Sequence, residues 1–249
     1  MVKSTKAIFV LLLMFTAVSL ACGVPSPFDP GSTPVPTATP PGDMLIFNKE
    51  ATYVVNLTPG EKIPGTQIEY VGRTADGGYE VIINGSHSIK RDGDSLNWSG
   101  IIAPGTHGQF NLRIGTDLLG NLPIGGSAVI TILNPEPFPL AAIPNDSNGL
   151  SFTNILINYT VPTGNTIPGT TLTYTGVTQQ GGVDVAQFTG ADLQASYHAQ
   201  GDSVIWAGKL RENVFVRYNL RTITYDANNI LLGGTAELFI RPTLATTPE

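Results

Sequence analysis

One pattern runs through this chain twice, in the same order both times. Ile63-Pro64-Gly65-Thr66, with Tyr70, Gly72, Gly77 and Gly78, returns as Ile167-Pro168-Gly169-Thr170, with Tyr174, Gly176, Gly181 and Gly182. Gly93-Asp94-Ser95-Leu96-Asn97-Trp98-Ser99-Gly100 returns as Gly201-Asp202-Ser203-Val204-Ile205-Trp206-Ala207-Gly208. Asn111-Leu112-Arg113 returns as Asn219-Leu220-Arg221, and Gly125-Gly126-Ser127-Ala128 as Gly233-Gly234-Thr235-Ala236. Matches up to Gly78 lie 104 positions apart (Ile63 to Ile167), and those from Gly93 onward lie 108 apart (Gly93 to Gly201). The chain therefore holds two copies of one module, and what both keep is what the fold needs.

Within each copy apolar and polar residues alternate over short runs, broken by Gly, Pro, Asn and Asp. No stretch after Gly42 holds a helical period for three turns. This predicts antiparallel β structure. The expected strands are 52–57, 67–72, 79–83, 95–101, 109–114 and 128–133 in copy one. In copy two they are 155–161, 171–176, 183–188, 193–198, 203–207, 214–224 and 236–240. Because strand side chains alternate faces, positions apolar in both copies mark the inner face. Leu96 and Trp98 match Val204 and Trp206, whereas the position between is Asn97 in one copy and Ile205 in the other. The same test turns Tyr70, Leu112, Tyr174 and Leu220 inward and Arg113 and Arg221 outward. The Gly-Asp-Ser and Gly-Gly pairs read as tight turns ahead of strands. The fold class expected is all-β: two tandem antiparallel β-sandwich domains, immunoglobulin-like, at 43–134 and 151–242. A proline-punctuated linker at 135–150 joins them, and 243–249 is a tail.

Lys3 and Lys6 precede a predominantly apolar, uncharged run over 7–20, after which small residues lead to Cys22. That is the layout of an export signal, and it is short for a bilayer span. The segment Val18-Ser19-Leu20-Ala21-Cys22 resembles the lipobox of bacterial lipoproteins. The resemblance implies a signal peptide over 1–21 and lipid attachment at Cys22, which becomes the first residue of the mature chain. Cys22 is the single cysteine of the sequence, so no disulfide forms within the chain. Residues 22–42 are dominated by Pro, Thr, Ser and Gly and read as an extended stalk.

Only 13% of residues are charged. Removing Lys3 and Lys6 from the 13 basic residues leaves 11 against 19 acidic ones, a net charge of −8. An acidic chain without a basic stripe argues against nucleic acid as partner. His87, His107 and His198 occupy unrelated positions in the repeat. Gly-x-Ser-x-Gly, Ser-x-x-Lys, His-Glu-x-x-His and CxxC are all missing from the sequence. The carboxylates Glu61, Glu69, Asp76 and Glu80 of copy one have little acidity opposite them in copy two. Asp94 and Asp202 lack the dense oxygen spacing of a calcium loop. No catalytic residue, metal ligand or cofactor site is therefore assigned. Tyr79, Tyr197, Phe215 and Tyr225 are the aromatics left for an outer surface. The polar feature common to both strand faces is Arg113 and Arg221, with Arg217 beside the latter. These are the candidate binding residues, since a guanidinium grips a carboxylate bidentately.

The sequence thus points to an exported protein, anchored through lipid on the outer side of a bacterial cytoplasmic membrane or at the cell surface. Its duplicated β domains serve as a non-catalytic display, binding or adhesion module for a protein or glycan ligand. The rival class is an extracellular carbohydrate-active or peptidase-type hydrolase.

Overall fold

The structure, a computed structural model, describes residues 44–116, 120–144, 149–190 and 195–243, apart from the side chains of 50–52. All of them lie in one compact unit, Pro36–Glu249. The expected leader, Cys22, the stalk and the end of the tail lie outside the described residues. No helix occurs among those described.

Copy one contributes β1 (Met44–Leu57), β2 (Ile68–Arg73), β3 (Tyr79–Ile83), β4 (Ser86–Lys90), β5 (Ser95–Ala103), β6 (Thr106–Ile114) and β7 (Leu122–Leu133). A short β8 (Phe138–Pro139) follows in the linker. Copy two contributes β9 (Leu150–Pro162), β10 (Thr173–Gln180), β11 (Val183–Thr189), β12 (Tyr197–His198), β13 (Ser203–Arg211), β14 (Val214–Tyr225) and β15 (Asn229–Ile240). Each copy forms a large antiparallel sheet, β1-β7-β6-β5 or β9-β15-β14-β13-β8. Each also forms a three-stranded one, β2-β3-β4 or β10-β11-β12. Lettered A to G in chain order, a copy divides as A-G-F-E and B-C-D. An immunoglobulin domain divides as ABED and CFG, so the strand order here differs from it.

Several strands run further than the alternation predicted, and β4 was not predicted at all. Asn84-Gly85 turns β3 into β4 with both residues at positive φ (52° and 79°), the geometry of a two-residue hairpin loop. The expected strand 193–198 reduces to β12, with 191–194 outside the described residues. The glycine pairs correct the reading most. Gly125-Gly126 and Gly233-Gly234 are not turns but sit inside β7 and β15, each glycine paired with a residue of both neighbouring strands. Their need is close approach. A Cβ on Gly126 would lie 2.2 Å from the Asn111 carbonyl oxygen, and one on Gly234 2.2 Å from that of Asn219.

The inner faces carry the residues that both copies keep. Tyr70, Leu112, Tyr174, Leu220, Trp98 and Trp206 are all buried, and the last donates from Nε1 to Thr171 Oγ1 at 3.0 Å. Tyr79 and Phe215 are buried as well, Phe215 against Phe239 at 6.2 Å, while Tyr197 is exposed.

Buried side chains from both copies form one continuous cluster rather than two. The seam is reciprocal. Phe47 lies opposite Ile130, and Phe152 opposite the twin residue Leu238. Phe47 of copy one stacks on Tyr218 of copy two at 6.3 Å, and Phe152 of copy two meets Phe110 of copy one at 6.4 Å. Phe110 and Tyr218 are themselves twins. Tyr53 closes the group, 5.2 Å from Phe152 and 5.5 Å from Phe110. The Ile-Pro-Gly-Thr turns join in. Gly65 (φ 71°) faces Pro242 and Ile102, and Gly169 (φ 74°) faces Leu45, Tyr218 and Leu210.

The neighbouring glycines of one pair are thus predicted to behave differently. Gly126→Ala drives a methyl into backbone and should cost about 1–3 kcal/mol or more. Gly125→Ala, whose Cβ meets nothing nearer than 3.7 Å, should stay within about 0.5 kcal/mol. Denaturant midpoints of the two variants check this, and equal losses would contradict it.

Candidate functional site

The three arginines singled out in the sequence are exposed and do not converge. Arg113 on β6 donates from Nη1 to the Gly93 carbonyl at 3.3 Å, and Arg221 on β14 donates to the Gly201 carbonyl at 3.1 Å. Each thereby fastens the Gly-Asp turn that leads into its Trp-bearing strand. The turn is closed a second time by its aspartate. Asp94 Oδ2 accepts the Arg91 N–H at 2.8 Å, and Asp202 Oδ2 that of Ala199 at 2.7 Å. Arg217 stands 4.0 Å from Glu237 on the next strand, with both side chains about half exposed, a pair worth little. The arginines' first partners are carbonyls and a carboxylate of this chain.

The histidines sit in three different surroundings. His87 Nδ1 is 2.7 Å from Glu80 Oε1 in the open. His198 is buried edge-on against Phe188 at 5.4 Å, with Nε2 on the Ala195 carbonyl at 2.9 Å. His107 Nε2 lies 3.3 Å from Ser99 Oγ, but among the described residues no carboxylate orients its ring as a triad requires. Glu69 pairs with Lys62 at 3.0 Å. Glu61 accepts the Thr58 N–H, which lowers its carboxyl pKa. The Asp76 carboxyl is lowered chiefly by the Thr74 hydroxyl at 2.5 Å, with Arg91 adding to it. These two shifts run opposite to what a general acid needs. No cluster of His, Cys, Asp and Glu among the described residues could hold a metal ion.

What the structure adds is the seam. Lys49 is buried, and its Nζ donates to the Thr153 carbonyl at 2.5 Å and to that of Asn154, held at φ 53°. Arg211 Nη1 donates to the carbonyls of Leu133 and Asn134 at 2.5 and 2.9 Å. Beside it a small depression is lined by Pro104, Glu136, Arg211, Glu212 and Asn213. Sequence reasoning passed over both cations because it looked for what the copies share. By strand register Lys49, opposite Ala128, stands where copy two has Ile155 opposite Ala236, and Arg211 replaces the copy-one Ala103, so the signal lay in the differences.

Comparison of the chain with protein-family models, with curated proteins and with solved structures gave no match.

Burial governs the titration of the interior. The hydroxyls of Tyr53, Tyr159 and Tyr218 are pushed above the ordinary tyrosine range by loss of water. The Tyr159 and Tyr218 oxygens are 3.5 Å apart. Tyr174 is pushed up to about 12, first by burial and then by the charge of Asp226, whose backbone carbonyl accepts a hydrogen bond from the Tyr174 hydroxyl at 2.5 Å. These hydroxyls hold their protons in the folded chain at pH values where the unfolded chain would release them. Their contribution is therefore complete below about pH 10 and is lost as pH climbs through the raised folded values. Urea midpoints should be level from about pH 8 to 10 and fall above, with tyrosinate absorbance rising together with unfolding. Smooth ionisation of every tyrosine near pH 10 in a chain that stays folded would contradict this.

Proposed function

We propose that the protein is an exported bacterial envelope lipoprotein, held through lipid on Cys22. Its duplicated β module works as a non-catalytic display, binding or adhesion unit for a protein or glycan. The observation that carries the reading is the leader: two lysines, an apolar run over 7–20, and a lone cysteine directly after Ala21. Residues 22–42 would then be a stalk of extended, proline-rich chain between membrane and module. Architecture supports the binding half. Each copy is read as a β-sandwich lobe made of one large and one three-stranded sheet, immunoglobulin-like in its antiparallel makeup though not in strand order. With the inner faces of both large sheets taken up by the common core, the outer faces and sheet edges are what the module can offer a partner. Net acidity weighs against nucleic acid as that partner.

Metabolic labelling with a fatty acid in a bacterial host tests the anchor. The wild-type chain should carry label and sediment with membranes, and Cys22→Ser should lose both properties. An unlabelled wild type, or label kept after the substitution, would refute it.

A further inference from the structure

The duplication exposes one inequality. In copy two the edge of β13 is covered by β8, with Pro139 opposite Gly208 and Phe138 opposite Lys209. The Glu136 N–H donates to the Leu210 carbonyl at 2.7 Å and the Leu140 N–H to the Ala207 carbonyl at 2.9 Å. In an extended strand alternate N–H groups point to opposite sides, so those of 136 and 140 face β13. Pro135, Pro137 and Pro139 fall on the outward side, where a missing donor costs nothing and no further strand can add. Gly208 completes the fit, since a Cβ there would lie 2.4 Å from the Phe138 carbonyl oxygen.

Among the described residues the same edge of copy one has no strand beside it. Ser99, Gly100, Ile101 and Ile102 are the twins of Ala207, Gly208, Lys209 and Leu210, and β5 ends its sheet with no outer partner among the described residues. Edge strands are ordinarily protected by charge or proline. The β5 sequence, Ser-Leu-Asn-Trp-Ser-Gly-Ile-Ile-Ala, has neither, and Ile101 stands 73% exposed where Lys209 lies over the Phe138 ring.

We propose that the open edge of β5 at residues 99–102 is a docking site for an extended peptide of a second molecule. In that peptide prolines alternate with other residues and an aromatic side chain lies over Ile101. The occupant of the twin edge defines that chemistry: main-chain hydrogen bonds supply the hold, and Ile101 selects the aromatic. This deepens the binding reading above and rests on it. The two fail separately, because fatty-acid labelling of Cys22 does not depend on β5.

The test uses the full chain in detergent and a synthetic peptide with the sequence of residues 134–141, Asn-Pro-Glu-Pro-Phe-Pro-Leu-Ala. Binding is followed by fluorescence anisotropy and by hydrogen exchange. Saturable binding is expected, with slowed exchange of amides around 99–102. Affinity should fall about tenfold on replacing the peptide's Phe by Ala, and equally for Ile101→Asp, which is exposed enough to leave the thermal midpoint unchanged. No saturable binding, or binding indifferent to both changes, overturns the proposal. The sequence repeats the Pro-x-Pro-Phe pattern at Pro25-Ser26-Pro27-Phe28. Binding that appears only in Phe28→Ala would give the edge to that stretch and overturn the assignment to a second molecule.

Discussion

The structure depends on an exchange of aromatic rings between the copies. A β-sheet with one apolar face must bury it against something, and here the inner face of each large sheet finds the other copy. Phe47 reaches Tyr218 and Phe152 reaches Phe110, two contacts between matched positions with the roles of the copies reversed. Each ring pair adds about 0.5–1.5 kcal/mol beyond the area it buries, so the seam is part of the core and not a contact between finished domains. The two cations serve the same seam. Lys49 donates to backbone carbonyls of the opposite copy's β9, and Arg211 to that of Leu133 at the end of β7.

Sameness and difference between the copies have separate meanings. Shared residues build what each half needs for itself: the Trp in its strand, the arginine that ties the Gly-Asp turn, the glycine that lets β7 pass Asn111 and β15 pass Asn219. Differing residues build what only one half does. Thr171 accepts from the Trp206 indole where copy one has Gln67, Lys209 lies over Phe138 where copy one shows Ile101, and Lys49 stands where the register of copy two has Ile155. A duplicated module of this kind keeps its fold by symmetry and acquires its surfaces by breaking it.

Much of this was legible in the sequence, and the failures have physical reasons. Strand alternation and the twin test report which face is buried, and the structure buries both Trp side chains on that face. Alternation does not report what covers the face, so the common core was read as two. Gly125-Gly126 misled because glycine marks both turns and close backbone approach, and only neighbouring strands tell them apart. Asn84-Gly85 between two short runs carries the hairpin signal for β4. β8 was hidden by its prolines, which count against a strand everywhere except on an edge. For the arginines the outward direction was legible, while their acceptors, carbonyls of a distant turn, depend on a register that one sequence does not specify.

Differential scanning calorimetry of the chain addresses the common core most directly. Unfolding should appear as one transition whose calorimetric and van't Hoff enthalpies agree, because neither half keeps its inner face covered when the other melts. Two resolved transitions, one for each copy, would contradict it.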